Sequence, residues 1–303
     1  MTDLREVAPG VYAWVQADGT WWINNAGAVH AGGEVVLIDT CATRRRTQAF
    51  LDAVSRATGD APIKAALNTH LHGDHVYGNA LLPATTVIAA HELTRQGVLA
   101  DFILADTPPV WSPTPDWGID AVRAPSLTFR DEITLYAGDK PVVARHPGFA
   151  AHTVGDAVAW LPEDRVLFTG DLVFHGVTPL IAMGSLSGAL KSLDWLRAFD
   201  PLVVVPGHGP LVEAPQWTEV LAAHARYYEF VATTAESALA RGLTPLEAAR
   251  EADLGAFAAL PDSERLVLNL HRAYADTTGA EIDIAAALGD AIAYHGGPLR
   301  CAV

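Results

Sequence analysis

The sequence predicts an α/β protein of the αββα kind: two mixed β-sheets packed face to face, helices outside them, and a helical C-terminal extension. Three observations predict this. Apolar strand-like runs and helical segments alternate twice over the first two-thirds of the chain. In each half an apolar run ends in side chains of metal-binding type. Ile63 to Leu67 leads into His70-Leu71-His72-Gly73-Asp74-His75, and Leu167-Phe168-Thr169-Gly170 leads into Asp171. From about Pro215 the chain becomes rich in Ala and Leu and loses every strand pattern. Residues 1–214 are read as the sandwich and 215–303 as helices covering it.

The elements follow in order. Val11 to Gln16, Trp22 to His30 and Glu34 to Asp39 read as strands, separated by the turn pairs Asp18-Gly19 and Gly32-Gly33. Thr43 to Ala57 is helical in composition, with Thr43 as N-cap. Ile63 to Asn68 is a short buried strand that delivers the six-residue cluster. Thr85 to Ala90 is another, with a helix from about His91. Pro108, Pro109, Pro113 and Pro115 break any regular element from 106 to 118, leaving a stiff loop that carries Trp111 and Trp117. Strands resume at Leu127 to Tyr136, Val142 to Arg145, Ala157 to Leu161 and Arg165 to Thr169. Leu186 to Phe199 is helical and Leu202 to Val205 is strand. In the extension, Gly242 stops one helix, and Thr244 with Pro245 starts the next.

Composition narrows the function. A chain of 303 residues, 50 % hydrophobic, can bury a sizeable core. Its net charge of −15, from 20 basic and 35 acidic side chains, disfavours nucleic acid as partner, because phosphate contacts need clustered Lys and Arg. Arg44-Arg45-Arg46 is the one basic run, and it opens a helix. The two cysteines, Cys41 and Cys301, form no metal knuckle and no disulfide framework. The stretch from Met1 to Glu6 shows no secretory leader, and no apolar run is long enough to span a membrane, so a reducing cytoplasm is the expected setting. The oligomeric state stays open, a homodimer included.

The six-residue cluster carries most of the information. Three imidazoles and a carboxylate, His70, His72, His75 and Asp74, suit a borderline divalent cation. On a helix the histidines would face different ways, so the cluster is placed on a loop, with Gly73 permitting a sharp turn. The complementary half should lie at later strand ends. His152 in a Gly-containing loop, Asp171 after its apolar strand, and His208 in Pro206-Gly207-His208-Gly209 fit that requirement. Seven ligands are what two cations need while leaving positions open.

With His70-x-His72-x-Asp74-His75, His152, Thr169-Gly170-Asp171 and Pro206-Gly207-His208-Gly209 in that order, the chain resembles the metallo-β-lactamase-fold superfamily over residues 7 to 213. The resemblance implies that His70, His72 and His152 hold one cation, that Asp74, His75 and His208 hold the other, and that Asp171 bridges both. It also implies that β-lactamase activity is disfavoured, since β-lactamases of this fold carry Cys or Ser at the bridging position. The glyoxalase II, lactonase and thioesterase branches are the better match. More narrowly, Gly170 to Pro179, Gly184-Ser185-Leu186 and the Trp22-to-Gly27 segment resemble the cyclase/thioesterases of aromatic polyketide pathways. These act on acyl chains held on an acyl-carrier protein or coenzyme A.

The expected activity is therefore thioester hydrolysis by a hydroxide shared between two cations, with Asp74 orienting the nucleophile and moving its proton. Zinc is expected from the ligand types, iron and manganese being the alternatives. A lactonase or other esterase, an iron-dependent oxidoreductase and a non-catalytic binding module are the competing readings. Trp21, Trp22, Trp111, Trp117 and His175 are the candidates for substrate contact. His271 is expected in a satisfied core or surface position, and His30, His91, His146, His224 and His295 are read as structural.

Overall fold

Alternation within single strands shows how the layers form. In Glu34–Ile38, Val36 and Ile38 enter the core between the two sheets, while Val35 and Leu37 pack outward against a helix. A computed structural model describes residues 3–303, so the part of the leader expectation that rests on Met1 and Thr2 lies outside the described residues. The first half contains β1 (Asp3–Ala8), β2 (Val11–Val15), β3 (Ala26–Ala31), β4 (Glu34–Ile38), α1 (Arg44–Thr58), β5 (Ile63–Leu67), α2 (Gly73–Val76), β6 (Val87–His91) and α3 (Glu92–Leu99). Then come β7 (Trp111–Ser112), β8 (Leu127–Phe129), β9 (Glu132–Ala137), β10 (Lys140–Arg145), β11 (Val158–Leu161), β12 (Val166–Phe174), α4 (Leu186–Leu196), β13 (Val203–His208) and β14 (Val212–Glu213). The C-terminal part consists of α5 (Ala214–Ala240), α6 (Pro245–Glu251), α7 (Arg265–Thr278), α8 (Ile284–His295) and the two-residue β15 (Leu299–Arg300).

One sheet has the order β1-β2-β3-β4-β5-β6-β8 and the other β14-β13-β12-β11-β10-β9. Both are mixed: β4, β5, β6 and β8 run parallel, as do β12 and β13, and the remaining neighbours are antiparallel. Their facing sides form one core, from Val36, Leu67 and Ala89 on one sheet to Val142, Phe168 and Val205 on the other. Phe50 and Val54 of α1 cover the outer face of the first sheet beside Trp14, Leu37 and Ile88. Leu167 and Val204 of the second sheet share a larger core with α4, α5, α7 and the Trp-bearing loops. The expected αββα sandwich with C-terminal helices is the observed architecture.

Local signals hold where their chemistry is self-contained. Thr43 caps α1, its hydroxyl accepting from Arg46 N at 3.2 Å. Thr244 and Glu247 form a reciprocal capping box at the start of α6. Four readings need correction. The chain has a first strand, β1, that the sequence reading did not name. The strand read from Trp22 begins at Ala26, because residues 21–25 fold into a tight loop with Trp22 at φ +66°. The single strand read over Leu127 to Tyr136 is two, β8 and β9, each on the edge of a different sheet, with the chain bending at Arg130-Asp131. Trp111–Ser112 is not wholly irregular: it pairs in parallel with Leu299–Arg300, tying the Pro-rich loop to the C-terminus. No helix among the described residues is long and apolar enough to cross a membrane.

Candidate metal centre

β5 in one sheet and the neighbouring β12 and β13 in the other bring the chemistry together, with Asp171 inside β12 and His208 the last residue of β13. After β5, residues 70–72 form a loop and residues 73–76 a single helical turn, α2. The sharp turn expected at Gly73 is this helical turn, made without a left-handed glycine. Gly73 makes room for a ring: a Cβ there would lie 2.2 Å from Tyr77 Cζ. Gly207 has a similar role, since a Cβ at that position would come within 1.9 Å of Asp171 Oδ1. Removing both side chains lets β13 and the short helix close around the acids.

The seven predicted ligands converge. His70, His72, His152 and Asp171 form one group and Asp74, His75 and His208 another, with the potential ligand atoms within 4.8 Å of one another in each. Asp171 lies between the groups. Its Oδ1 is 3.1 Å from His75 Nε2, and its Oδ2 is 3.3 Å from both His152 Nε2 and His208 Nε2. His70 Nε2 and His152 Nε2 approach His72 Nδ1 at 3.1 and 2.9 Å.

The outer nitrogens explain why the inner ones converge. His75 Nδ1 donates to Asp39 (2.8 Å), His152 Nδ1 to Leu180 O (2.6 Å) and His208 Nδ1 to Gly19 O (3.0 Å). His70 Nδ1 donates to the Thr69 hydroxyl at 3.1 Å, which itself donates to Asp39 at 2.7 Å. Each of these rings thus holds one proton outside and turns Nε2 inward, where a cation can take a proton's place. His72 is reversed, with Nε2 3.3 Å from Met183 Sδ and Nδ1 inward.

The electrostatics divide the cluster. Burial holds His70 and His72 below the ordinary imidazole range and His152 down at about 3, so all three are neutral donors. Burial also disfavours charge on His75 and His208, but the surrounding carboxylates outweigh it. Asp171, Asp39 and Asp74 raise His75, and Asp171 with Asp74 raises His208 to about 9. Burial works against ionised Asp74 and Asp171, and the imidazoles overcome it, bringing Asp74 to about 2 and Asp171 well below its usual range. Two buried atoms are left without partners. His75 Nε2 and Asp171 Oδ1 lie close together without any hydrogen-bond alignment to each other or to another group. Inward imidazole nitrogens and an unpartnered buried carboxylate oxygen are satisfied together by cations. The cluster is suited to a pair of metal ions.

Above it lies a cavity of about 230 Å³. Trp21, Trp22 and Trp111 line it, together with His72, Asp74, Asp171 and His208. Trp117 is not in the lining; it packs behind Trp22 at 4.6 Å between ring centroids. His175 faces a separate cavity, with its Nδ1 on Pro210 O at 2.9 Å, and so lies outside the metal cavity. Among the remaining histidines, His271 pairs with Asp290 at 2.8 Å, and His91 stacks on His146 at 4.0 Å.

Sequence reading missed Asp39 and Arg265. Asp39 ends the apolar run Val35-Val36-Leu37-Ile38 just as Asp171 ends its own, so the signal was present. Arg265 gave no local signal. It reaches the cavity from α7, buried, with its guanidinium 4.7 Å from the Trp21 ring and 5.5 Å from the Phe174 ring.

Comparison with known proteins bears on the fold and the family. The chain is similar to the linear primary-alkylsulfatase of a Pseudomonas sp., 26% identical over 258 residues, which cover 72% of this chain and 48% of that protein. It is also similar to the 2,4-dinitroanisole O-demethylase subunit alpha of a Nocardioides sp., 24% identical over 197 residues, covering 64% of this chain and 54% of that one. The chain thus spans about half the length of these relatives. Among solved structures, the inverting sec-alkylsulfatase Pisa1 from Pseudomonas sp. superposes with a TM-score of 0.70 at 20% identity, over 94% of this chain and 52% of that one. A metallo-β-lactamase from Pontibacter korlensis superposes with a TM-score of 0.59 at 21% identity, over 76% of this chain and 99% of that one. At such identities these two likenesses concern the fold. The sequence profile of the metallo-beta-lactamase superfamily matches residues 19–208, more than half of the chain and the segment that contains all seven converging side chains, and the chain belongs to that superfamily.

Proposed function

We propose that the protein is a dinuclear metallohydrolase that cleaves a thioester, with a polyketide-type acyl group presented by an acyl-carrier protein or coenzyme A. The observation that carries the hydrolytic reading is the pair of donor sets sharing Asp171 at the wall of a cavity. His70, His72 and His152 would hold one ion, Asp74, His75 and His208 the other, and Asp171 both. Divalent ions there supply Lewis acidity and lower the pKa of a water; zinc is the first expectation, with iron and manganese accepting the same ligands.

The chain's own residues supply the rest. Asp74 lines the cavity with an ionised carboxylate, in place to orient an attacking water and take its proton. The outer hydrogen bonds of the five imidazoles keep their rings from turning. Trp21, Trp22 and Trp111 wall the reacting centre against bulk water, which strengthens electrostatic interactions inside. A thiolate leaves without needing a strong acid, and the lining offers none. The resemblance of residues 170–179, 184–186 and 22–27 to cyclase/thioesterases supports the thioester over other acyl compounds.

A second reading, hydrolysis of an alkyl sulfate ester, draws support from the alkylsulfatase activity of the Pseudomonas relative and from the apolar lining of the cavity. A panel of acyl thioesters, lactones and alkyl sulfates offered to metal-loaded protein separates the two. Thiol release from thioesters is the expected outcome. Sulfate release with thioesters left intact overturns the first reading in favour of the second, and bound iron with oxygen consumption overturns both.

A further inference from the structure

The cavity over the metal cluster is built from two parts of the chain. One side comes from loops of the sandwich, including Trp22 and Trp111; the other comes from the C-terminal helices through Leu268, Ile284 and Leu288. Ile284 and Leu288 are four residues apart and so share one face of α8. Leu288 is 8% exposed, whereas Ile284, the first residue of α8, is half-buried. Beyond the metal cluster, the cavity's described charged side chains are Asp101 and Arg265, and both are engaged. Asp101 accepts the Tyr77 hydroxyl at 3.0 Å; Arg265 pairs with Asp262 at 2.7 Å and donates to Thr178 O at 2.9 Å, with its Nε buried and unpartnered. A charged substrate body would lose its hydration there and find both of these charges already paired.

Resting on the thioesterase reading for the bond that is cut, we propose that the acyl group is an uncharged, apolar body, and that Ile284 and Leu288 on α8 set the largest one admitted. The C-terminal extension is thereby part of the substrate site.

Binding can be tested without turnover. Metal-free protein is titrated with a homologous series of n-alkyl methyl ketones and followed by the fluorescence of Trp21, Trp22 and Trp111, which line the same cavity. In the wild type, affinity rises about fourfold per methylene until a length limit is met. Leu288→Trp moves that limit to shorter ketones and Leu288→Ala to longer ones. Ile284→Trp, at a half-buried site where added bulk has room, shortens the limit without filling a buried position and stands in if Leu288→Trp does not fold. An identical limit in all four proteins overturns the proposal, as does equal affinity for a chain ending in a carboxylate or an ammonium group. The same series as acyl thioesters on metal-loaded protein should show limits that move in parallel. Ketone limits that shift while no thioester is cleaved uphold the role of α8 and remove the thioesterase reading.

Discussion

At Asp39 one carboxylate orients two imidazoles. It accepts His75 Nδ1 directly and His70 Nδ1 through the Thr69 hydroxyl, and it also accepts Thr69 N at 2.7 Å. Partners that fix the outer nitrogen of a metal-binding imidazole are worth tenfold to a hundredfold in metal affinity. Asp39→Asn should therefore fold and bind at least one cation about 10- to 100-fold more weakly, as read by competition with a chromophoric chelator; unchanged affinity would remove Asp39 from the site. Arg265 is the other residue that matters beyond its own contacts. Its buried guanidinium neutralises Asp262, whose burial pushes its carboxyl pKa upward, and lies over the rings of Trp21 and of Phe174, the latter stacked on His208 at 5.2 Å. Arg265→Met strands the Asp262 carboxylate. The expected loss is about 3–5 kcal/mol of folding stability in urea titration, the range for breaking a buried pair from one side. A change well under 1 kcal/mol would mean that water already reaches the pair. Asp171, Asp74 and the five histidines were legible because ligand chemistry demands particular residue types at strand ends. Arg265 was not, because an arginine opening a helix looks like any solvated one until α7 is seen packed over the cavity.

At the scale of elements, the long β12 and the helix α5 are joined by a bond that titrates. Phe174 N donates to His224 Nε2 at 2.9 Å, and His224 Nδ1 donates to Val220 O at 2.8 Å. Burial holds His224 down at about 4, against an ordinary 6.5. The folded ring is neutral, while the unfolded chain takes up a proton below 6.5. Its contribution is thus complete above pH 6.5 and drains away as pH falls toward 4, by about 3 kcal/mol. His224→Gln should unfold more easily than wild type at pH 7 yet lose less stability between pH 7 and 4.5. Parallel urea midpoints for the two proteins across that range would contradict it. Elements were legible where the pattern was local, as in α1 with its Thr43 cap or β5 with its apolar run. The split of residues 127–136 was not, since both halves alternate alike and only the tertiary course carries one to each sheet. Nor was the pairing of Trp111–Ser112 with Leu299–Arg300, which joins residues far apart in sequence by two short backbone contacts.

Across the whole molecule, the sandwich gathers the ligands and the helical extension closes the space above them. The αββα layers could be read from alternation in strands such as β4, where a two-residue period separates the inner core from the helix-covered face. The placement of α7 and α8 over the metal cluster could not, because amphipathic Ala- and Leu-rich helices say that they pack without saying where. The apolar cavity, and with it the size limit proposed for the acyl group, follows from that placement rather than from any motif.

The central claim is that seven side chains hold two cations with Asp171 common to both. Metal content per chain tests it most directly, measured on protein loaded with zinc and dialysed, wild type beside Asp171→Ala. Two ions in the wild type, with loss of metal and turnover together in a variant whose circular dichroism is unchanged, is the result expected. A variant that keeps both ions and full thioesterase turnover would contradict the account.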